Sequence, residues 1–384
     1  MNTNPLQIIN NKRVLIFYTN FGCGHKQAAF ALRECFVQLC EMSEVKCKDA
    51  LFFLPVWQKA LYRWIYNSLI DYFPGLWDII YCKTNQTSLS IPKMLYRLLA
   101  WNYHKQFINF VNSNKPDLII ATHCIPLEFL SFYAFPPSLP IIGVITDFSI
   151  HQLWLKPFVS FYTVANKQLI HSLKLNGISQ KKIIVTGIPV STSFLKHKEK
   201  QTLIAKHKLQ DKFTVLVMGG GEGKGPLVKI VRDLKTSPLD LQIVVVTGKN
   251  KKLYQKLLPI SSPSLKILGF VDYIDELMEI ADIVISKPGG ITIAETMIKG
   301  KPIFLFNSIQ GQESENMKFI INQGIGIPWE GVSSFLDKIA YWQKNPDAIK
   351  RFKEEILKLS KPDASSKIVE LAAKILQSHT PAIG

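Results

Sequence analysis

Short apolar runs, each bounded by polar or turn-forming residues and separated by longer amphipathic stretches, constrain this chain more than any other feature. They fall at residues 14–18, 118–121, 141–145 and 183–185, and again at 215–218, 243–246, 283–285 and 303–306. Runs this short and this uniformly apolar suit strands buried on both faces, and the amphipathic intervals suit helices that cover a parallel sheet. Between the two sets lie residues 191–212, rich in Lys and His and poor in large apolar side chains. The pattern predicts two similar α/β domains, 1–190 and 213–345, joined by a linker at 191–212. Residues 346–384 place Ile349, Phe352, Ile356 and Leu357 at helical spacing and show no strand signal, so closing helices are expected there.

A length of 384 residues with 47% hydrophobic content supports two cores of ordinary size rather than one oversized core. Lys and Arg number 46 against 29 Asp and Glu, a formal charge of +17. That excess points to an anionic partner: nucleic acid, a phosphorylated ligand or an acidic membrane. The cysteines, Cys23, Cys35, Cys40, Cys47, Cys82 and Cys124, lie in the first third without CxxC spacing. They read as reduced thiols rather than a zinc site. The run at 14–18 is too short for a signal segment or a membrane span, and His123, Pro126, Glu128, Pro136, Pro137 and Pro140 break the stretch 118–145. No transmembrane helix is expected, and a cytoplasmic location is.

Residues 51–104 depart from the rhythm. They are crowded with Trp, Tyr and Phe, with Lys59, Arg63, Lys83, Lys93 and Arg97 interleaved. Trp57, Leu61, Trp64, Ile65 and Ser68 share one helical face, which suits either a membrane interface or a core helix. The density of Trp and basic residues favours the membrane.

Three glycine-rich turns follow apolar runs. Gly22-Cys23-Gly24-His25 precedes a helix-like stretch, where the N-terminal dipole favours negative charge and would keep the His25 imidazole neutral and able to accept a proton; a cap or surface histidine is the plain alternative. Gly219, Gly220, Gly221, Glu222 and Gly223 read as a phosphate-facing loop with bare backbone N–H groups. The Walker A spacing is missing, and so is a clean dinucleotide fingerprint. Pro288, Gly289, Gly290, Thr292 and Glu295 form the third turn; they offer amides for a second phosphate and a carboxylate for ribose hydroxyls. A capping box of Thr292 with Glu295 fits the same residues. Gln312, Glu313 and Asn316 follow as polar groups for reading sugar hydroxyls, or as a solvated helix start.

The ordered motifs GxGH, TDFxxHxxW (Thr146, Asp147, Phe148, His151, Trp154), VTGIP, GGGEGxG, GKNKKL from Gly248 and Lys249, GFV, SKPGGxTIAE and GQExEN resemble those of a known family. It comprises the monogalactosyldiacylglycerol synthases and processive diacylglycerol glucosyltransferases, grouped with the lipid II N-acetylglucosaminyl transferase in a family 28 type of the GT-B fold. The resemblance covers residues 13–327. It implies two Rossmann-like domains facing a cleft, the first binding acceptor and membrane and the second binding a nucleotide sugar.

Residue by residue, the resemblance implies His25 as general base, with His123, Asp147 and His151 on the acceptor side. It places Gly24, the loop from Gly219 to Gly223, Gly248 and Lys249 near the donor. Gly289, Gly290, Thr292 and Glu295 then face diphosphate and ribose, Phe270 and Val271 the uracil, and Gln312, Glu313 and Asn316 the sugar. Cys23, Gln310 and Ser191 depart from the family pattern, and Ser191 stands where plant members carry Arg, so glucose and galactose both stay open. The expected reaction is an inverting transfer of a hexose from a UDP-sugar to the sn-3 hydroxyl of 1,2-diacylglycerol. No DxD-type carboxylate pair ends a strand, so no metal and no cofactor are expected. The aromatic segment and basic charge predict an anionic membrane surface contacted through Trp57 and Trp64 and a peripheral location, and without a recognised motif no nucleic-acid partner is expected. The alternatives are another lipid-linked acceptor, or a nucleotide-sugar-binding subunit without catalysis.

Overall fold

The computed structural model describes residues 9–20, 22–40, 43–61, 105–132, 139–306 and 311–379, with positions 64, 68, 75, 79 and 85. The chain divides into two compact units, Met1–Ser191 with Asp363–Gly384, and Thr192–Pro362.

In the first unit β1 (Arg13–Tyr18), β2 (Glu44–Asp49), β3 (Leu118–Ala121), β4 (Ile141–Val144), β5 (Phe161–Val164) and β6 (Ile183–Val185) form one sheet in the order β2-β1-β3-β4-β5-β6. Every pairing is parallel. All four residues of β3 and of β4 are buried, as strands covered on both faces must be. The helix Gly24–Leu39 buries Ala29, Leu32 and Phe36 in the core, where Ile368, Val369, Ala372 and Ala373 of the helix Ala364–His379 join them. The small side chains on both helices permit close approach.

The second unit repeats the plan with β7 (Phe213–Met218), β8 (Leu241–Val246), β9 (Leu265–Leu268), β10 (Ile283–Ser286), β11 (Ile303–Leu305) and β12 (Gly326–Pro328). Their order is β12-β11-β10-β7-β8-β9, again wholly parallel. Renumbered within the unit this is 3-2-1-4-5-6, the doubly wound Rossmann order. Its core joins Val215, Val217, Ile243 and Ile285 to Phe304, Phe335 and Trp342.

Three expectations need correction. The closing helices do not act together: Pro346–Leu359 belongs to the second unit, whereas Ala364–His379 completes the core of the first. Residues 192–212 are not a bare linker. They carry the helix Lys200–Lys206, whose Leu203 and Ile204 pack with Leu209 against Ile280 in the second unit. Strands β2, β5, β9 and β12 went unread because they are short, polar or at an edge. Among the described residues no helix is long and apolar enough to cross a membrane.

Candidate active site

In a doubly wound sheet ligands collect beyond the carboxyl ends of the strands where the strand order reverses, because the adjacent loops part there. In the first unit that point lies between β1 and β3. Beyond β1 the chain turns at Gly22, with φ of 73°, and enters the helix at Gly24, so His25 stands in its first turn. Beyond β3 come Thr122 and His123, with Thr122 anchored by its N–H to the Phe17 carbonyl at 2.9 Å.

His25 Nδ1 lies 3.0 Å from the Thr122 carbonyl oxygen and 2.8 Å from Thr146 Oγ1. A carbonyl can only accept, so the proton is assigned to Nδ1, and Nε2 is the basic nitrogen of the neutral ring. The Thr122 hydroxyl in turn donates to the His25 carbonyl at 2.9 Å. His25 is therefore tied to the exits of both β3 and β4.

His123 stands edge-on to His25, with ring centroids 4.4 Å apart at 84°. Its Nδ1 accepts from the Ile125 N–H at 3.1 Å and caps the helix Cys124–Leu130. Burial, and then the neighbouring His25, hold its pKa well below the usual histidine range. It is a neutral wall for His25 rather than a proton carrier. His151 likewise accepts from the Leu153 N–H at 3.2 Å, at the head of the turn Gln152–Trp154. Asp147 is buried directly after Thr146, where the chain leaves β4. The sequence motif contained Thr146 without a role for it, and Thr122 was missed; a Thr that ends an apolar run is the only signal either carried.

In the second unit the reversal lies between β7 and β10. The loop after β7 is folded on itself. The Gly223 and Lys224 N–H groups donate to the Gly220 and Gly219 carbonyls, both at 3.0 Å, and the Lys249 N–H donates to the Gly221 carbonyl at 2.9 Å. Gly223, with φ of +59°, has no room for a Cβ, which would fall 2.0 Å from the Thr247 carbonyl oxygen. These glycines serve close packing of loop 219–225 against the turn at Thr247, Gly248, Lys249 and Asn250. Within the loop the amides of Gly223 and Lys224 are consumed by these bonds, and that of Lys249 on the adjoining turn likewise. Glu222 is exposed.

After β10 the turn at Pro288 leads to Gly289, which is the N-cap of the helix Gly290–Ile298 with no side-chain cap bond. The Thr292–Glu295 capping box is thus not formed. By helix geometry the N–H groups of Gly290, Ile291 and Thr292 have no intrahelical acceptor and present the positive end of the dipole. Glu295 is 5% exposed, and its pKa is pushed up to about 8 by burial and then by Asp275.

The helix Gln312–Asn322 is pinned to the same turn by Asn316, whose Nδ2 donates to the Pro288 carbonyl at 3.1 Å. Glu313 pairs with Lys287, a residue that sequence reasoning left without a role. Phe270 is 60% exposed beside Val271, with Lys249 Nζ 5.8 Å from its ring centroid. The second unit's reversal thus gathers a glycine loop, an uncapped helix N-terminus, a buried carboxyl and an exposed aromatic ring.

Two six-stranded, wholly parallel sheets, each with glycine turns and polar groups where its strand order reverses, define a protein of GT-B architecture. Solved structures with the same fold include Anabaena HepE in complex with UDP-glucose, at TM-score 0.59 and 15% identity over 96% of this chain and all of that one. The UDP-GlcNAc 2-epimerase of Neisseria meningitidis bound to UDP-GlcNAc matches at TM-score 0.60 and 16% identity over 94% of this chain and all of that one. A glycosyltransferase of Rickettsia africae, at TM-score 0.56 and 13% identity over 95% of this chain and 99% of that one, shares the fold with the epimerase, so the fold alone leaves the reaction open. Two family models match: Monogalactosyldiacylglycerol (MGDG) synthase over residues 25–190, and Glycosyltransferase family 28 C-terminal domain over residues 214–330. A processive diacylglycerol beta-glucosyltransferase of Bacillus subtilis is 30% identical over 382 residues, covering 94% of each chain. One of Staphylococcus epidermidis is 29% identical over 91% of this chain and 89% of the other. The chain belongs to the family of the processive diacylglycerol beta-glucosyltransferases.

Proposed function

We propose that this chain transfers a hexose from a UDP-sugar to the sn-3 hydroxyl of 1,2-diacylglycerol with inversion at the anomeric carbon. The observation that carries the reading is the 3.0 Å contact of His25 Nδ1 with the Thr122 carbonyl, which assigns the proton to Nδ1 and leaves Nε2 as the base. In this scheme Nε2 removes the hydroxyl proton as the acceptor oxygen attacks the anomeric carbon and the bond to the diphosphate breaks. The developing charge on the diphosphate is met by the N-terminus of the helix Gly290–Ile298, so the reaction needs no metal. Phe270 supports the uracil, Glu295 takes the ribose hydroxyls, and Glu313 and Gln312 read the hexose. Glucose is the first hexose to test, given the relatives' names.

The protein works at a membrane surface on the cytoplasmic side. Support comes from Phe52, Val56, Trp57, Leu61 and Trp64, all exposed large apolar side chains, and from Lys48 and Lys59, which lie 3.6 and 5.2 Å from the Phe52 ring centroid. Apolar insertion with nearby basic charge is the pair of signals that reversible anchoring uses. The net positive charge serves lipid and diphosphate rather than nucleic acid.

The test is transfer from labelled UDP-glucose or UDP-galactose to diacylglycerol in liposomes, with the anomeric configuration of the product read by NMR. A β-linked glycolipid, formed at nearly full rate in EDTA, is expected. Hydrolysis of the donor without glycolipid would refute the acceptor assignment, and loss in EDTA that magnesium restores would refute the metal-free scheme.

A further inference from the structure

The three motifs read as facing the donor converge on a side chain that none of those readings uses. Lys287 leaves the end of β10 with its stem against the glycine loop: a Cβ placed on Gly220 would come within 2.8 Å of Lys287 Cε. Its ammonium donates to the Glu313 carboxylate on the helix Gln312–Asn322. Both side chains are largely withdrawn from solvent, at 20% and 12% exposure. Asn316, one turn further along that helix, is bonded to the carbonyl of Pro288, so the helix and the Lys287 turn hold a fixed spacing. Lys287 therefore stands between the loop after β7 and the uncapped N-terminus at Gly289, with its charge taken up by a carboxylate.

Burial gives that position its consequence. A lysine ammonium withdrawn from water needs an anion beside it, and a carboxylate in the same place needs a cation. Two of the loop amides, those of Gly223 and Lys224, are turned inward on internal bonds, as is that of Lys249 on the adjoining turn. A donor diphosphate arriving at the Gly289 turn carries far more charge than the roughly half elementary charge of one helix N-terminus, so a further positive group beside it is favoured. Lys287 lies on that turn, and its compact charge with three rotatable donors can change partners without the backbone moving.

We propose that Lys287 is a diphosphate-binding residue of the donor site, held by Glu313 in the free protein and taken over by the diphosphate when the donor binds. The exchange releases the Glu313 carboxylate to accept hydrogen bonds from hexose hydroxyls, so one movement of an ammonium couples phosphate capture to sugar reading. Glu313 competes with the diphosphate for the ammonium, and its charge is an obstacle to UDP even though it serves the sugar. This inference rests on the donor assignment proposed above.

Calorimetry with UDP and with uridine separates the contributions, because only UDP carries the phosphates. Lys287→Met should weaken UDP binding roughly tenfold or more, the scale of a lost charge-assisted contact, and leave uridine unchanged. Lys287→Arg should restore part of the difference. Glu313→Gln should tighten UDP a few-fold, with uridine again unmoved, while turnover with the UDP-hexose falls. Equal loss of UDP and uridine in Lys287→Met, no loss of either, or weaker UDP binding in Glu313→Gln would overturn the proposal. Those results would leave the donor assignment standing, since the wild type would still prefer UDP to uridine. A wild type that binds UDP no better than uridine would instead sink the donor assignment itself.

Discussion

His25 and Thr122 hold each other by two reciprocal bonds, the ring Nδ1 to the Thr122 carbonyl at 3.0 Å and the Thr122 hydroxyl to the His25 carbonyl at 2.9 Å. One bond sets the tautomer and the other fixes the first turn of the helix that carries the ring. The base is thereby oriented by main chain, which substitution cannot remove.

Replacing the imidazole is a different matter. His25→Ala should lower the turnover number by roughly 10²–10⁴-fold, the usual contribution of a general base, with UDP affinity unchanged. Thr146→Val removes only one of the two groups at Nδ1 and should lower turnover less than about tenfold, because the Thr122 carbonyl still sets the tautomer. Steady-state kinetics of both variants provides the check. A Thr146→Val loss as deep as that of His25→Ala would assign the tautomer to the hydroxyl instead.

If Glu295 takes the ribose hydroxyls as proposed, donor binding depends on pH. Its carboxyl keeps the proton up to about 8 in the free protein because burial disfavours the charge. Ribose hydroxyls donating to the carboxylate favour the ionised form, so the complex has the lower pKa and UDP binding releases a proton. Affinity should rise with pH up to about 8 and then level off. Calorimetry in buffers of different ionisation enthalpy measures the proton. Uptake, or Glu295→Gln binding UDP as well as wild type, would mean that the neutral acid is the form in use.

The same group acts on stability with the opposite trend. Its folded pKa lies above the unfolded value of 4.5, so the folded protein holds the extra proton between the two and loses stability as pH rises from there to about 8. Glu295→Gln should gain stability relative to wild type on going from pH 5 to pH 8, by an amount on the order of a few kcal/mol. Denaturant melts at the two pH values decide it.

How far the residues disclose all this varies with what each position must do. The fully buried strands β3 and β4 were legible because a strand covered on both faces admits only apolar side chains. Strand β2, Glu-Val-Lys-Cys-Lys-Asp at the sheet edge, has one face open to solvent and alternates too briefly to stand out. The glycine turns were legible because Gly22 and Gly223 adopt positive φ. Their packing role was less so: bonds between main-chain atoms leave no trace in side-chain identity, so the internal bonds at Gly223 and Lys224 are not legible in the residues. Lys287 stayed hidden because its partner Glu313 is 26 residues away on another element. Of the aromatic segment, Ile65 and most of residues 62–104 lie outside the described residues.

The C-terminal helix supplies a prediction about cooperativity. Ile368 is fully buried in the core of the first unit, although the sequence before it belongs to the second. Ile368→Ala should cost about 2–5 kcal/mol, the range for removing a buried Ile side chain. The loss should fall on the first unit, so hydrogen exchange should quicken in β1, β3 and the helix Gly24–Leu39 while β7, β8 and β10 keep their protection. Uniform loss across both units would show that they unfold as one.

The aromatic segment separates the two readings of Trp57 and Trp64. A core helix would bury them, yet their exposures are 62% and 67%, and Val56 next to Trp57 is 81% exposed. Exposed indole rings contribute little to the fold, so Trp57→Ser with Trp64→Ser should leave the melting temperature within about 2 °C of wild type, as a surface change does. Indoles placed in the lipid interface contribute affinity there, so the same double variant should bind liposomes more weakly even at low salt. The basic groups act over the range of the Debye length, about 8 Å at 0.15 M salt, so binding by wild type should strengthen with anionic lipid and weaken as salt is raised. Co-sedimentation across a salt series resolves the two contributions. The indoles set the residual binding at high salt, and Lys48 and Lys59 beside Phe52 set the slope. Undiminished co-sedimentation of the double variant at every salt concentration would move the membrane contact away from this segment.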